Sequence, residues 1–250
     1  MSRLPSLVPA LRSIARGLGD VVFPPVCVHC RGLVEGGPYR HLCESCAEKI
    51  DFVIRPHCQT CGHPFAGIVE GWRQCPHCVG LNPAYRDGCT ALLFKGPARS
   101  LLIELKYRGG LHLIGDVEAL FRRSPGPLAS AFGAVLVPVP LHPRKLRERG
   151  YNQSELLAEA LARAAGGGAC VSGVLRRLED TPSQTALGRS ERRNNLKNAF
   201  ALARRAAFDS SRRHVIVDDV FTTGSTINGC ALVLRRAGCL NLSAVTFCHG

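Results

Sequence analysis

Eight of the thirteen cysteines fall into four CxxC pairs: Cys27/Cys30, Cys43/Cys46, Cys58/Cys61 and Cys75/Cys78. Twelve residues separate the first two pairs and thirteen the last two. A CxxC turn presents two sulfurs from one tight knuckle, and a second knuckle at this distance completes a tetrahedral set of four thiolates around Zn²⁺. Four thiolates leave no position for water, so the expected chemistry is structural, with two Zn²⁺ per chain. The simplest pairing is sequential. A cross-braced pairing, first with third and second with fourth, also satisfies the spacing. With eight cysteines available, the nearby His29, His41, His57, His63 and His77 are expected to be surface residues. Cys89, Cys170, Cys230, Cys239 and Cys248 sit in apolar contexts and are expected to be buried free thiols.

A different chemistry is written in residues 214–226, HVIVDDVFTTGST. Val215-Ile216-Val217 is apolar and β-branched throughout, as a central parallel strand requires. Asp218 and Asp219 arrive at its carboxyl end, and Thr222, Thr223, Gly224, Ser225 and Thr226 then turn into a helix. Such a turn offers backbone N–H groups, hydroxyls and the positive end of a helix dipole, which together cradle phosphate. Gly224 lets the backbone come close to a ligand. Two carboxylates would repel the phosphate itself. They fit hydrogen bonds from vicinal sugar hydroxyls, or a Mg²⁺ ion held through waters. A capped helix after a core strand, with the acids solvated, is the plainer alternative, and the full string is more specific than that.

Basic side chains complete the chemical inventory. Arg144, Lys145, Arg147 and Arg149 crowd what reads as a short loop after a strand end, and Arg189, Arg192, Arg193 and Lys197 form a second cluster. A departing pyrophosphate develops charge that cations stabilise, and Arg contacts phosphate bidentately. A nucleic-acid track is the other use of such clusters. Aromatic residues are 6% of the chain, too few for a long base-stacking platform. Tyr107, Tyr151 and Phe221 flank the phosphate candidate, as base-stacking groups or as core. Walker A, HExxH and GxSxG patterns are absent, and no nucleophile stands out.

These groups need elements to hold them. Strand patterns at 89–94, 134–139, 214–220 and 242–247 alternate with helical patterns at 97–106, 111–122, 153–165 and 225–237, which predicts a mostly parallel sheet covered by helices. Residues 1–25 read as a short amphipathic arm ended by Phe23-Pro24-Pro25, residues 26–82 as a double zinc ribbon, and residues 83–250 as the α/β domain. The ribbon segment has too few apolar residues to fold without metal.

Composition agrees with a folded, water-facing protein: 46% of its 250 residues are hydrophobic and 20% charged, which excludes bulk disorder. The formal net charge of +13 favours an anionic partner. Two thiolate-bound zinc ions would bring it to about +9. Thirteen cysteines would suit a secreted disulfide scaffold, but Arg3, Arg12 and Arg16 interrupt any leader-like run and the CxxC pairing points to metal. The longest apolar stretch, 131–141, is too short to span a bilayer. A cytoplasmic location without membrane insertion is expected.

The string VIVDDVFTTGST resembles the phosphoribosyl pyrophosphate motif of type I phosphoribosyltransferases. Joined to a CxxC-rich N-terminus, it is similar to the ComF family, associated with DNA uptake in competent bacteria. KYRGG at 106–110, VPVPLHPRKLRERGYNQSELL at 137–157 and QTALGRSERRNNLKNAF at 184–200 extend the resemblance over roughly 20–250. It implies an α/β fold whose mostly parallel sheet is of the type I phosphoribosyltransferase, Rossmann-like kind, preceded by a small zinc-ribbon domain. It implies that Asp218 and Asp219 bind the ribose hydroxyls and that Thr222, Thr223, Gly224, Ser225 and Thr226 bind the 5′-phosphate. Lys106 and Arg108 would face pyrophosphate, and residues 144–153, carrying Arg149, would form a flexible loop closing over it. Mg²⁺ would accompany the ligand. The implied function is phosphoribosyl transfer in DNA uptake or nucleotide metabolism, to an acceptor that no residue names. The alternative is a non-catalytic sensor of a phosphoribosyl metabolite that binds single-stranded DNA, with DNA-uptake proteins as further partners.

Overall fold

The computed structural model describes residues 24–67, 73–178, 199–204 and 209–250. Nearly all of the expected N-terminal arm lies outside these residues, as does the cluster of Arg189, Arg192, Arg193 and Lys197.

Five parallel strands form the central sheet, in the order β1 (Asp87–Leu93), β7 (Leu242–His249), β6 (His214–Phe221), β2 (Val135–Pro138) and β3 (Cys170–Val171). A separate antiparallel pair joins β4 (Leu175–Arg177) to β5 (Phe200–Leu202). Besides a single turn of helix at Glu44–Ala47 in the first cysteine cluster, the α-helices are α1 (Gly96–Tyr107), α2 (Ile114–Arg122), α3 (Pro125–Ala131), α4 (Pro143–Arg149), α5 (Gln153–Ala165) and α6 (Ser225–Arg236). Every residue of β7 is buried, Ser243, Thr246 and His249 included, so its sequence carries no strict apolar–polar alternation.

The sheet is covered on both faces. Val215, Val217, Val245 and Phe247 point into a layer with Leu101 and Leu105 of α1, Phe121 of α2 and Leu157 of α5. Their strand neighbours Ile216 and Ala244 point the other way, towards Ile227, Ala231 and Leu234 of α6. The two cysteine clusters divide between these layers: Cys27 and Cys46 join the first, and Cys58, Cys61, Cys75 and Cys78 the second. Between them, residues 51–53 run along the outer edge of β1, with Val53 N donating to Ala91 O at 2.9 Å and Leu93 N to Asp51 O at 3.0 Å. A Phe52–Leu92 bridge lies in the same run.

Three expectations change. Residues 144–149 are not a loop: Pro143 opens helix α4 at a position where its missing N–H costs nothing, and Gly150 closes it in the left-handed region. None of its residues is buried, so it shows no apolar period. Cys170 is exposed and Cys89 half-buried; Cys230, Cys239 and Cys248 are buried. His41 is not a surface residue, because its ring and backbone both meet the buried Asp116 of α2. Among the described residues, no helix is long and apolar enough to cross a membrane.

Candidate functional site

The strand order dictates where a ligand can enter. From β2 the chain passes through α4 and α5 to β3, on one side; from β6 it passes through α6 to β7, on the other. The two strands are neighbours, so their connections part at their carboxyl ends and leave a crevice there. The last β2 residue, Pro138, pairs with Val217, whereas β6 continues alongside β7 to Phe221. Asp218 and Asp219 therefore project past the end of β2, into the crevice.

Both carboxylates are buried, and each has partners from elements distant in sequence. Asp219 Oδ1 lies 2.8 Å from Lys106 Nζ at the end of α1, and its Oδ2 accepts from Gln153 Nε2 at 2.8 Å. Asp218 Oδ1 accepts from Ser154 Oγ at 3.0 Å and from the Asp219 backbone N–H at 2.9 Å. Burial, reinforced by the adjacent Asp219 charge, pushes the Asp218 carboxyl up to about 7; Lys106 and Ser154 pull against this.

The segment 151–154 places these partners. Asn152 caps α5 by accepting from Ser154 N at 3.1 Å and donates to Val139 O at 3.0 Å, so the helix start is tied to the end of β2. Tyr151 donates its hydroxyl to Leu105 O, linking α5 to α1 beside Lys106. Gln153 and Ser154 then occupy the first turn and reach the acid pair.

On the other side of the acids, Thr222 is exposed, Thr223 and Thr226 are half-buried, and Ser225 opens α6. The first N–H groups of a helix have no partner within it. Thr223 Oγ1 and Ser225 Oγ are 2.9 Å apart, a pair of hydroxyls at this positive helix end. Gly224 is required twice: its φ is +71°, and a Cβ there would come within 2.6 Å of Phe221 and 2.8 Å of Leu81.

Of the basic candidates, Lys106 reaches the acid pair directly. Arg149 donates to the side chain of Gln153 and lies over the Tyr107 ring, 5.6 Å from its centre. Arg108 instead turns back to Glu104, at 3.4 Å. Tyr107 is 72% exposed, whereas Phe221 is buried and stacks on His249. The Gln153 and Ser154 contacts to the acids cross more than sixty residues of chain, and nothing local in the sequence announces them.

The cysteine clusters settle the pairing as sequential: the sulfurs of Cys27, Cys30, Cys43 and Cys46 lie within 4.8 Å of one another, and so do those of Cys58, Cys61, Cys75 and Cys78. A tetrahedral Zn–S₄ site with bonds of about 2.3 Å has sulfurs about 3.8 Å apart. Cys30–Cys43, Cys61–Cys75 and Cys58–Cys78 stand at 3.6, 3.4 and 3.9 Å, so the donors fit zinc in number, type and spacing.

Each cluster is bound into the fold. Asp116 accepts the backbone N–H groups of Arg40 and His41 at 2.7 and 2.8 Å, docking the first cluster on α2. The second is tighter. His249 Nε2 at the end of β7 is 3.3 Å from Cys61 Sγ, Thr90 Oγ1 donates to Cys61 O at 2.8 Å, and a Cβ on Gly62 would meet Thr90 N at 2.4 Å. His63 and His77 pack against His249, with ring centres 4.9 and 5.0 Å from it, so they too are packing residues. Leaving the second cluster, the chain places Leu81 against Gly224 and gives the Ala84 N–H to Asn228 Oδ1 of α6 at 2.7 Å.

Comparison with known proteins accords with the two cysteine clusters. A double zinc ribbon domain matches residues 18–79. The DNA utilization protein YhgH of Escherichia coli O157:H7 is 30% identical over 237 residues, covering 90% of this chain and 97% of that protein. Competence protein F of Haemophilus influenzae is 29% identical over 219 residues, 85% and 91% of the two chains. Competence protein ComFC of Bacillus subtilis is 25% identical over 215 residues, 80% of each. With an α/β sheet behind two tetracysteine clusters and likeness over nearly the whole length, the chain belongs to the ComF/YhgH competence family with an N-terminal double zinc ribbon.

Proposed function

We propose that the crevice between β2 and β6 binds a phosphorylated ribose such as phosphoribosyl pyrophosphate, in a protein that serves DNA uptake and utilization. The observation that carries this is the buried acid pair beside the Thr222–Thr226 turn at the point where the strand connections part. A ribose 5-phosphate unit needs anion donors at one end and hydroxyl acceptors at the other, and the turn and the acids supply them in that order. In this reading Asp218 and Asp219 accept from the ribose hydroxyls, and the sugar displaces Gln153 or Lys106 from Asp219. Lys106 and Arg149 then face the pyrophosphate, with Arg108 beyond them. Mg²⁺ would enter on the pyrophosphate and neutralise part of its charge. Transfer from the ribose carbon asks position and charge stabilisation of the protein more than covalent chemistry. DNA handling belongs to the same proposal, with single-stranded DNA as the anionic partner that the net charge of +13 favours.

Titration calorimetry with phosphoribosyl pyrophosphate and Mg²⁺ tests the site. Replacing Thr223 and Thr226 together by Ala is expected to weaken binding by roughly 1–3 kcal/mol, for two hydrogen bonds to a charged group. Unchanged affinity would remove the turn from the site. Pyrophosphate release with a panel of amine and nucleobase acceptors separates a transferase from a binding protein.

A further inference from the structure

A cavity of about 810 Å³ opens at the opposite end of the sheet from the acid pair. Its floor is the start of β1, Asp87 to Cys89, with Arg213 just ahead of β6. One wall comes from the second zinc ribbon and the other from α3. Three guanidinium groups line it, those of Arg55, Arg73 and Arg213.

Their charge is not answered by the wall. Arg55 and Arg73 are exposed and have no carboxylate partner among the described residues. Arg213 donates to the carbonyls of Ala129 and Ser130, at 3.2 and 2.6 Å, while its buried Nε has no partner. Asp87, the acid of the described lining, is already bonded to Arg86 at 2.8 Å. A concave surface with excess cationic charge concentrates anions, and guanidinium forks suit phosphate. The rest of the wall is not polar. Half-buried Phe65 and Pro56 line the same cavity, an apolar surface of the kind on which a nucleic-acid base stacks. Bare phosphate would use the arginines and leave this surface wet.

We propose that this cleft binds a nucleotide unit, its phosphate on Arg55, Arg73 and Arg213 and its base against Phe65 and Pro56. The volume admits one nucleotide with room for the chain to continue. Because the cleft and the acid pair lie at opposite ends of the strands, the two ligands are held independently. A free nucleotide and one within a strand present the same chemistry to the cleft, and the experiment separates these sources.

The test uses the zinc-loaded full chain and a labelled oligothymidylate, with binding followed by fluorescence anisotropy at low and moderate salt. Arg55→Ala/Arg73→Ala is compared with Arg235→Ala/Arg236→Ala, which removes equal charge at the end of α6. All four side chains lie on the surface or part-exposed, so zinc content and melting temperature should match wild type in both variants. The cleft variant is expected to bind roughly tenfold more weakly or worse, as for two lost charge-assisted contacts, and the control much less so. Thymidine 5′-monophosphate that displaces the strand, with the same dependence on Arg55 and Arg73, assigns the cleft to single nucleotides. Failure of the monophosphate to compete, with the variant effect intact, assigns it to a strand. Equal weakening of the two double variants would mean bulk charge alone, and an unaffected cleft variant would mean binding elsewhere; each overturns the proposal.

Discussion

Protein purified without added metal is expected to contain about two zinc ions per chain, and Cys58→Ser to lose one of them together with most of its soluble yield. All four sulfurs of the second cluster are buried, with Cys61 against His249 and its carbonyl held by Thr90. Losing one ligand leaves three thiolates in a layer shared with Val137, Ile216 and Ala231, where nothing else can take up their charge. Structural zinc contributes roughly 10 kcal/mol or more to folding in small sites, more than any other single group here. Cys27→Ser should also lose one zinc and much of its yield, with a different residue of function. The first cluster has an exposed Cys30 and docks on α2 through Asp116, away from the phosphate turn. The second abuts that turn: Cys61 meets His249, His249 stacks on Phe221, and Leu81 packs on Gly224. Whatever Cys58→Ser protein can be recovered should therefore bind phosphoribosyl pyrophosphate poorly, while recovered Cys27→Ser protein binds it nearly as wild type does. Elemental analysis near one zinc in the wild type would remove a site, and near zero would remove both. Equal ligand affinity in the two variants would break the link to the phosphate turn.

Asp218→Asn should stabilise the ligand-free protein at pH 8 while reducing its affinity for phosphoribosyl pyrophosphate at least tenfold. The buried carboxyl titrates at about 7 against 3.8 in the unfolded chain, so the folded state holds its proton more tightly. Stability from this group is full below pH 4, falls as the pH rises towards 7, and stays low above it. A shift of this size corresponds to roughly 4 kcal/mol at most. Asn keeps the Oδ1 that accepts from Ser154 and the Asp219 backbone, and discards the charge. Thermal melts should then show the variant several degrees above wild type at pH 8, with the gap closing as the pH falls to 5. Calorimetry with inorganic phosphate should be little changed, because the turn at Thr222–Thr226 is intact. A variant less stable than wild type at both pH values would show that the ionised acid is held favourably in the empty site.

What could be read from the sequence was what local periodicity and spacing encode. Helix α5 starts and ends where its apolar period says, and β6 is legible from its β-branched run into two acids. The eight zinc ligands were legible because CxxC geometry is local, although the choice between sequential and cross-braced pairing had to wait for the sulfur positions. Helix α4 was not, because a helix with every face in water has no apolar stripe and its Arg and Lys read as loop. The histidines misled for the opposite reason. His41, His63 and His77 become packing groups only through Asp116 and His249, which lie far along the chain. The candidate site divides the same way. Its acids and phosphate turn form one continuous string, whereas the side chains that hold the acids come from two other helices.

Residues 51–53 connect the two cysteine clusters and cover the outer edge of β1. They are anchored on one side by Cys46 and on the other by Cys58, so the metal sites hold this cover in place. The far edge of the sheet is a two-residue strand, too short to template another chain. β1 is not: it offers seven residues, with Ala91 and Leu92 fully buried in the native fold. Chelation should therefore do more than soften the molecule. It should unsheathe an adhesive strand edge, so that the apoprotein is lost to self-association and the cell's zinc supply sets how much chain stays dispersed.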